Sequence, residues 1–112
     1  MNTINEGTTG YLTITFRDKG GSDESPASAS YRIDDVTTGG AIRIATSLAP
    51  APTVEITLTP VDNRILNTKN SHETRRVTIV AIYGANDQVT SEYLYRINSL
   101  VGVSGNPPTI VS

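Results

Sequence analysis

The sequence predicts an all-β sandwich, and three observations carry the prediction. Apolar and polar residues alternate with period two at 11–16, 54–59 and 76–79, which sets Leu12, Ile14 and Phe16, and then Val54, Ile56 and Leu58, on one buried face each. Threonine, isoleucine and valine make up 36 of the 112 residues, and side chains branched at Cβ pack better on a pleated sheet than on a helix. Glycine, proline, asparagine and aspartate cluster between the periodic runs and leave no helix of useful length. About seven antiparallel strands are expected, in one domain at 1–98 followed by an extended C-terminal tail at 99–112.

The first strand spans about 9–17 and stops at Asp18-Lys19-Gly20-Gly21-Ser22-Asp23, residues that tolerate positive φ or cap turns. Pro26 opens the next run, 27–36, with Tyr31 and Ile33 on one face and Ser30, Arg32 and Asp34 on the other. Thr37-Thr38-Gly39-Gly40 reads as a hairpin turn whose adjacent glycines supply primed-turn angles, leading into a strand at 41–45 with Ile42 and Ile44 facing inward. Pro50 and Pro52 exclude a central ladder position near residue 51, and a half-buried strand follows at 53–59. Residues 60–66 fit a short helical turn, and the polar stretch 67–73 reads as a loop crossing between two sheets. The strand at 74–84 is apolar on both faces, with Val77, Ile79, Ala81 and Tyr83 on one and Val80 and Ile82 on the other, as in a central or covered strand. Ala85-Asn86-Asp87 turns the chain into a last strand at 88–98, with Val89, Tyr93, Tyr95 and Ile97 in phase. Gly102, Gly105, Pro107 and Pro108 make the remainder an extended tail.

Composition narrows the function classes. A net charge of −2, from 9 basic and 11 acidic residues, provides no field to hold a phosphate backbone, so nucleic acid is not an expected partner. The apolar run at 77–85 falls far short of the ~20 residues that span a bilayer, so no membrane partner is expected. Without cysteine the fold must rest on packing. Residues 1–6 have neither a basic start nor an apolar signal core, which predicts synthesis in the cytoplasm.

The strand count, the long connection before the 74–84 strand, and the runs GYLTITFRDKGG, SASYRIDDVTTGG, VEITLTPVDN and RRVTIVAIYGANDQVTSEYLYRI are similar to small immunoglobulin-like proteins encoded among the virion genes of tailed bacteriophages and prophages. The resemblance covers nearly the whole chain. It implies an immunoglobulin-like β-sandwich, made in the bacterial host cytoplasm, that docks onto capsid, head-to-tail connector or tail subunits of a virion, with no cofactor. The chain departs from antibody-type domains in having no cysteine pair, no tryptophan, and no tyrosine opening the 74–84 strand where a tyrosine corner would sit.

Neither catalytic, cofactor-binding nor metal-binding residues are expected. His72, the sole histidine, sits in a polar stretch without a nucleophile and orienting acid held around it. Asp34 and Asp35 are consecutive on a strand and point to opposite faces, which predicts one surface charge and one turn cap rather than a carboxylate pair. Asp18, Asp23 and Glu24 lack the spacing of a helical-hand calcium loop, and Gly39-Gly40 is too short to cradle phosphate.

Three features bear on binding. Val80 and Ile82 are either covered by neighbouring strands with Arg76 and Arg96, or form a protein contact surface. Tyr31, Tyr83, Tyr93 and Tyr95 fit core fillers, and no tyrosine falls at an expected loop tip, which weighs against a sugar-binding platform. In the tail, Leu100, Val101, Val103, Ile110 and Val111 are spaced by glycine and proline, either without order or as an arm that adds a strand to a neighbour. The expected interface is therefore Val80, Ile82, Leu100, Val101, Val103, Ile110 and Val111, toward virion proteins or copies of the same chain. The alternative is a carbohydrate or host-surface binding module presenting its loops.

Overall fold

The structure, a computed structural model, describes residues 2–67, 69–84 and 87–100. Seven strands form, β1 (Asn2–Asn5), β2 (Gly10–Thr15), β3 (Ser28–Asp35), β4 (Ala41–Leu48), β5 (Thr53–Leu58), β6 (His72–Ile82) and β7 (Gln88–Asn98). They make a five-stranded sheet in the order β1-β7-β6-β3-β4 and a two-stranded sheet of β2 and β5. The all-β, two-layer reading holds, and no helix occurs among the described residues. All-antiparallel pairing does not hold: β1 runs parallel to β7, Asn2 opposite Tyr95 and Asn5 opposite Asn98. With Ile4 as its one apolar residue, β1 carries no period-two signal, which is why residues 1–6 give no strand in the sequence.

Alternation along each strand builds the core. From the large sheet Tyr31, Ile33, Val77, Ile79, Tyr95 and Ile97 point inward, and Phe16, Ile56 and Leu58 meet them from the β2–β5 side. Burying an aliphatic side chain of this size contributes ~1.5–3 kcal/mol each. Gly7, at φ 69°, lets the chain leave β1 and cross into the opposite layer. Any Cβ on Gly10 would stand 3.4 Å from Leu58 Cδ1 and 3.6 Å from Ile4 Cδ1, so β2 lies over the β1 side of the large sheet. Arg43 of β4 reaches Asp62 and Thr59 just beyond β5, so β5 lies over the opposite, β4 side.

Local departures have local causes. The β3–β4 register shifts between Tyr31 and Ile33 and again between Ile33 and Asp34. Two such bulges place Arg43 opposite Ile33 on the inner face and turn Ile44 outward, where it is 77% exposed, against the expectation that it faces inward. The β3–β4 connection, Val36–Gly40, is longer than a primed two-residue turn, and of its two glycines Gly39 alone takes positive φ. Asp35 closes it, accepting from the Thr38 amide through Oδ2 (2.9 Å) and from the Gly39 amide through its carbonyl (2.9 Å), the capping role expected of one of the two aspartates. Asp34 is not a bare surface charge, because Arg32 on the same face covers it and donates at 2.7 Å. Residues 60–63 form one turn, with the Asn63 amide donating to the Thr59 carbonyl (3.1 Å). β6 starts at His72, so His72 and Glu73 belong to the strand and not to the crossing loop.

Candidate functional site

The two ends of the sandwich differ in chemistry. Where β6 begins, period two continues inward past Val77 to Arg75 and Glu73, so the buried face of the strand ends in charge. Arg75 is fully buried and donates from Nη1 to Asp35 Oδ1 (2.6 Å) and from Nη2 to Glu73 Oε1 (3.0 Å) and the Arg64 carbonyl (2.7 Å). Glu73 in turn accepts from the amides of Leu66 and Asn67 and from Asn70 Nδ2, each at 2.9 Å. Burial pushes the Glu73 carboxyl up, but those two amides, Asn70 and Arg75 outweigh it and hold the group below the usual carboxylate value. One arginine and one glutamate thus tie the 64–70 connection to the end of the large sheet.

Beside this set, buried Asn63 donates from Nδ2 to the carbonyls of Thr8 (2.7 Å) and Leu58 (3.2 Å) and accepts from the Tyr95 hydroxyl (2.9 Å). Burial raises the Tyr95 phenol well above its ordinary value. Asp62 receives the Thr59 amide (2.9 Å) and the Arg43 guanidinium (2.8 Å), whose pKa that bond raises. Apart from the buried Arg75 Nε, which has no hydrogen-bond partner, these polar atoms are bonded among themselves and to nearby backbone, and they cross-link β1–β2, β4 and the β5–β6 connection. Sequence reasoning missed them, although the signal was present: Arg75 and Glu73 are in phase with Val77, Ile79 and Ala81.

The opposite end is open. A cleft of about 640 Å³ lies between the β2–β3 loop and the start of β7, lined by Arg17, Asp18, Lys19, Gly20, Glu24, Tyr83, Asp87, Gln88 and Val89. The loop wall is held by Asp18 Oδ1, which accepts from the Gly20 (2.8 Å) and Ser22 (3.0 Å) amides, and by the Arg17–Asp23 ion pair (3.1 Å). Tyr83 is half-buried and packs against the core as the strand phase predicts, and it also lines this cleft. The edge next to the cleft is equally unfinished: β6 pairs with all of Gln88–Asn98, while β1 covers only Tyr95–Asn98 on the other side. Among the described residues no strand runs beside 88–94, and none beside the outer edge of β2. Val89, expected in phase with the core, is 50% exposed for that reason, and Leu12, Ile14 and Tyr93 are half-buried.

The expected interface residues are not brought together. Val80 and Ile82 lie on the outer face of the large sheet, Val80 between Ser30 and Thr90 and Ile82 between Ser28 and Gln88. Those short or polar neighbours leave Ile82 38% exposed and Val80 half-buried, and Arg76 and Arg96 stand further along the strands, opposite Leu94 and Thr74. Leu100 is exposed at the far end, its amide donating to Glu6 Oε1 (2.6 Å), while the Ser99 amide donates to the Ser71 carbonyl (2.9 Å). The first two residues assigned to the tail are thus bonded to the sandwich. Val101, Val103, Ile110 and Val111 lie outside the described residues. His72 is exposed at the head of β6, with Ser71 Oγ 3.2 Å from its Nδ1. No protein-family model matches the chain, and no curated protein and no solved structure matches it either.

Proposed function

We propose that the chain is a non-enzymatic structural component of a tailed-phage virion, an immunoglobulin-like sandwich that docks onto capsid, connector or tail subunits. The observation that carries docking is the open flank, where the unpaired 88–94 edge of β7 adjoins the cleft and an outside chain can complete both. Support for the immunoglobulin-like reading comes from the strand order. In that fold the strands named C, F and G form one sheet, extended by C′ in variable domains, while B and E belong to the other. Here β3, β6 and β7 with β4 at the edge match the first set, and β2 with β5 match the second. The work of a tyrosine corner, tying the strand F end to backbone upstream, falls to Arg75 on the Arg64 carbonyl. Placement in a phage particle rests on the sequence runs quoted above.

Mass spectrometry of purified particles tests the reading. Its presence in stoichiometric amount is the expected result, with a copy number that separates head lattice or tail tube from connector, and its absence from the particles overturns it. The recognition-module alternative is favoured by one observation, the Tyr83 ring beside Asp18, Glu24, Asp87 and Gln88, a composition suited to sugar hydroxyls. Glycan-array binding abolished by Tyr83→Ala would favour that reading.

A further inference from the structure

The exposed edges are not equivalent. β4 is blunted: two bulges distort it, its one charged side chain, Arg43, turns inward to Asp62, and the Thr46 hydroxyl donates to the Ile44 carbonyl (2.9 Å). β1 is only four residues long. The 88–94 stretch of β7, Gln-Val-Thr-Ser-Glu-Tyr-Leu, has no proline, no lysine and no bulge in its pairing with β6, and its one charge, Glu92, lies on the outer face opposite Thr78 and away from the groove. Every second residue of that stretch directs its N–H and C=O away from β6. The inward positions beside it, Val89 and Tyr93 on β7 with Leu12 and Ile14 on β2, are apolar and incompletely covered. An extended segment lying there would gain backbone pairing from one sheet and apolar contact from both.

We infer that this groove is filled by the C-terminal segment, residues 101–112, of a second copy of the chain. Two arguments select that occupant. The first is composition: residues 99–112 contain no charged side chain, and Val101 and Val103 stand two apart with only glycine between them, the spacing that a strand would set on one face. Such a segment enters a half-apolar groove without desolvating an ion.

The second is reach. Residues 101–112 span at most ~43 Å when extended. To lie along its own 88–94 edge, the segment would travel back about 20 Å past β1 and then need about 23 Å more for seven paired residues, with nothing left for the reversal. Val101 and Val103 in particular, next to the anchored Leu100, never reach their own groove. Donor and acceptor are different surfaces of one subunit, so the contact closes as a two-fold dimer when two copies exchange segments reciprocally and otherwise runs on into a ring or an open row.

This inference deepens the docking reading, and its test on purified protein can fail while that reading stands, because the latter is decided by the content of particles. The full-length chain is expected to sediment above the monomer mass in a concentration-dependent manner. Two full-length variants separate the halves of the contact, Val103→Asp disabling the donor and Val89→Asp, at a half-exposed site that spares the core, disabling the acceptor. Each alone should be monomeric, and their mixture should form 1:1 dimers and no larger species, because one intact donor meets one intact acceptor. In that mixture, alternate amides at 88–94 of isotope-labelled Val103→Asp protein should exchange about tenfold more slowly or better. A monomeric wild-type chain overturns the inference, whether its 88–94 amides exchange freely or are protected by its own segment. Oligomers that persist in both single variants, or a mixture that stays monomeric, overturn it as well.

Discussion

Arg75 and its two carboxylates show what a charge costs inside a small sandwich. Removing one partner of a buried ionic set leaves the others uncompensated, at ~3–5 kcal/mol, whereas an apolar replacement of the whole set is near neutral. Arg75→Met is therefore expected to lower stability by about 3–5 kcal/mol in urea unfolding, and a loss below ~1 kcal/mol would mean that water reaches Asp35 and Glu73. Tyr95→Phe deprives Asn63 Oδ1 of its hydroxyl donor and should cost about 1–3 kcal/mol without altering the circular dichroism. The Glu73 carboxyl, held below its ordinary value of 4.5, gives the protein a pH dependence of definite sign. A group whose pKa falls on folding stabilises fully above the unfolded value and loses that contribution as pH drops through the folded value. Unfolding midpoints should thus decline below about pH 4.5, and Glu73→Gln should start lower at pH 7 but decline less steeply on acidification.

Among the strands, legibility followed from how much period-two signal each one carries. β2 and β5 alternate cleanly and β6 reads as a strand apolar on both faces, so residue pattern alone places all three, along with the hairpin between β3 and β4 and the stop at the 18–23 loop. β1 has too few apolar residues to register, and its parallel pairing depends on β7, far away in the chain. The outward turn of Ile44 was illegible for another reason: a bulge adds a residue without changing composition, and only pairing with β3 reveals the phase shift. The consequence is measurable. Ile44→Thr should change stability by no more than ~0.5 kcal/mol, while Ile33→Val, removing one methylene from the fully buried site opposite neighbouring Arg43, should cost about 0.5–1.5 kcal/mol. Equal effects at the two sites would contradict the bulged register.

For the molecule as a whole, the sequence separated core from loops but could not find its candidate site, because the cleft and the bare edge of β7 are properties of strand neighbours. Val89 reads as core by phase and becomes half-exposed because nothing stands over that end of β7. The tail boundary shifts for a similar reason, since Ser99 and Leu100 find partners in Ser71 and Glu6 that lie far off in the chain. Ending the chain after Leu100 is expected to leave the thermal midpoint within about 2 °C of the full chain yet exclude the protein from particles. Normal incorporation of that shortened form would remove the C-terminal segment from the docking account.

The parallel seam between β1 and β7 has a mechanical consequence. Tension applied through the two chain ends draws β1 and β7 past each other along their length, because β1 is pulled from its start and β7 from its finish while the two run side by side in one direction. The hydrogen bonds joining Asn2–Asn5 to Tyr95–Asn98 then share the force and must break together, unlike a hairpin peeled open one bond at a time. Single-molecule stretching from the termini should accordingly meet a higher rupture force than stretching from residues 37 and 112, and proline at Thr3 or Ile4 should erase the difference.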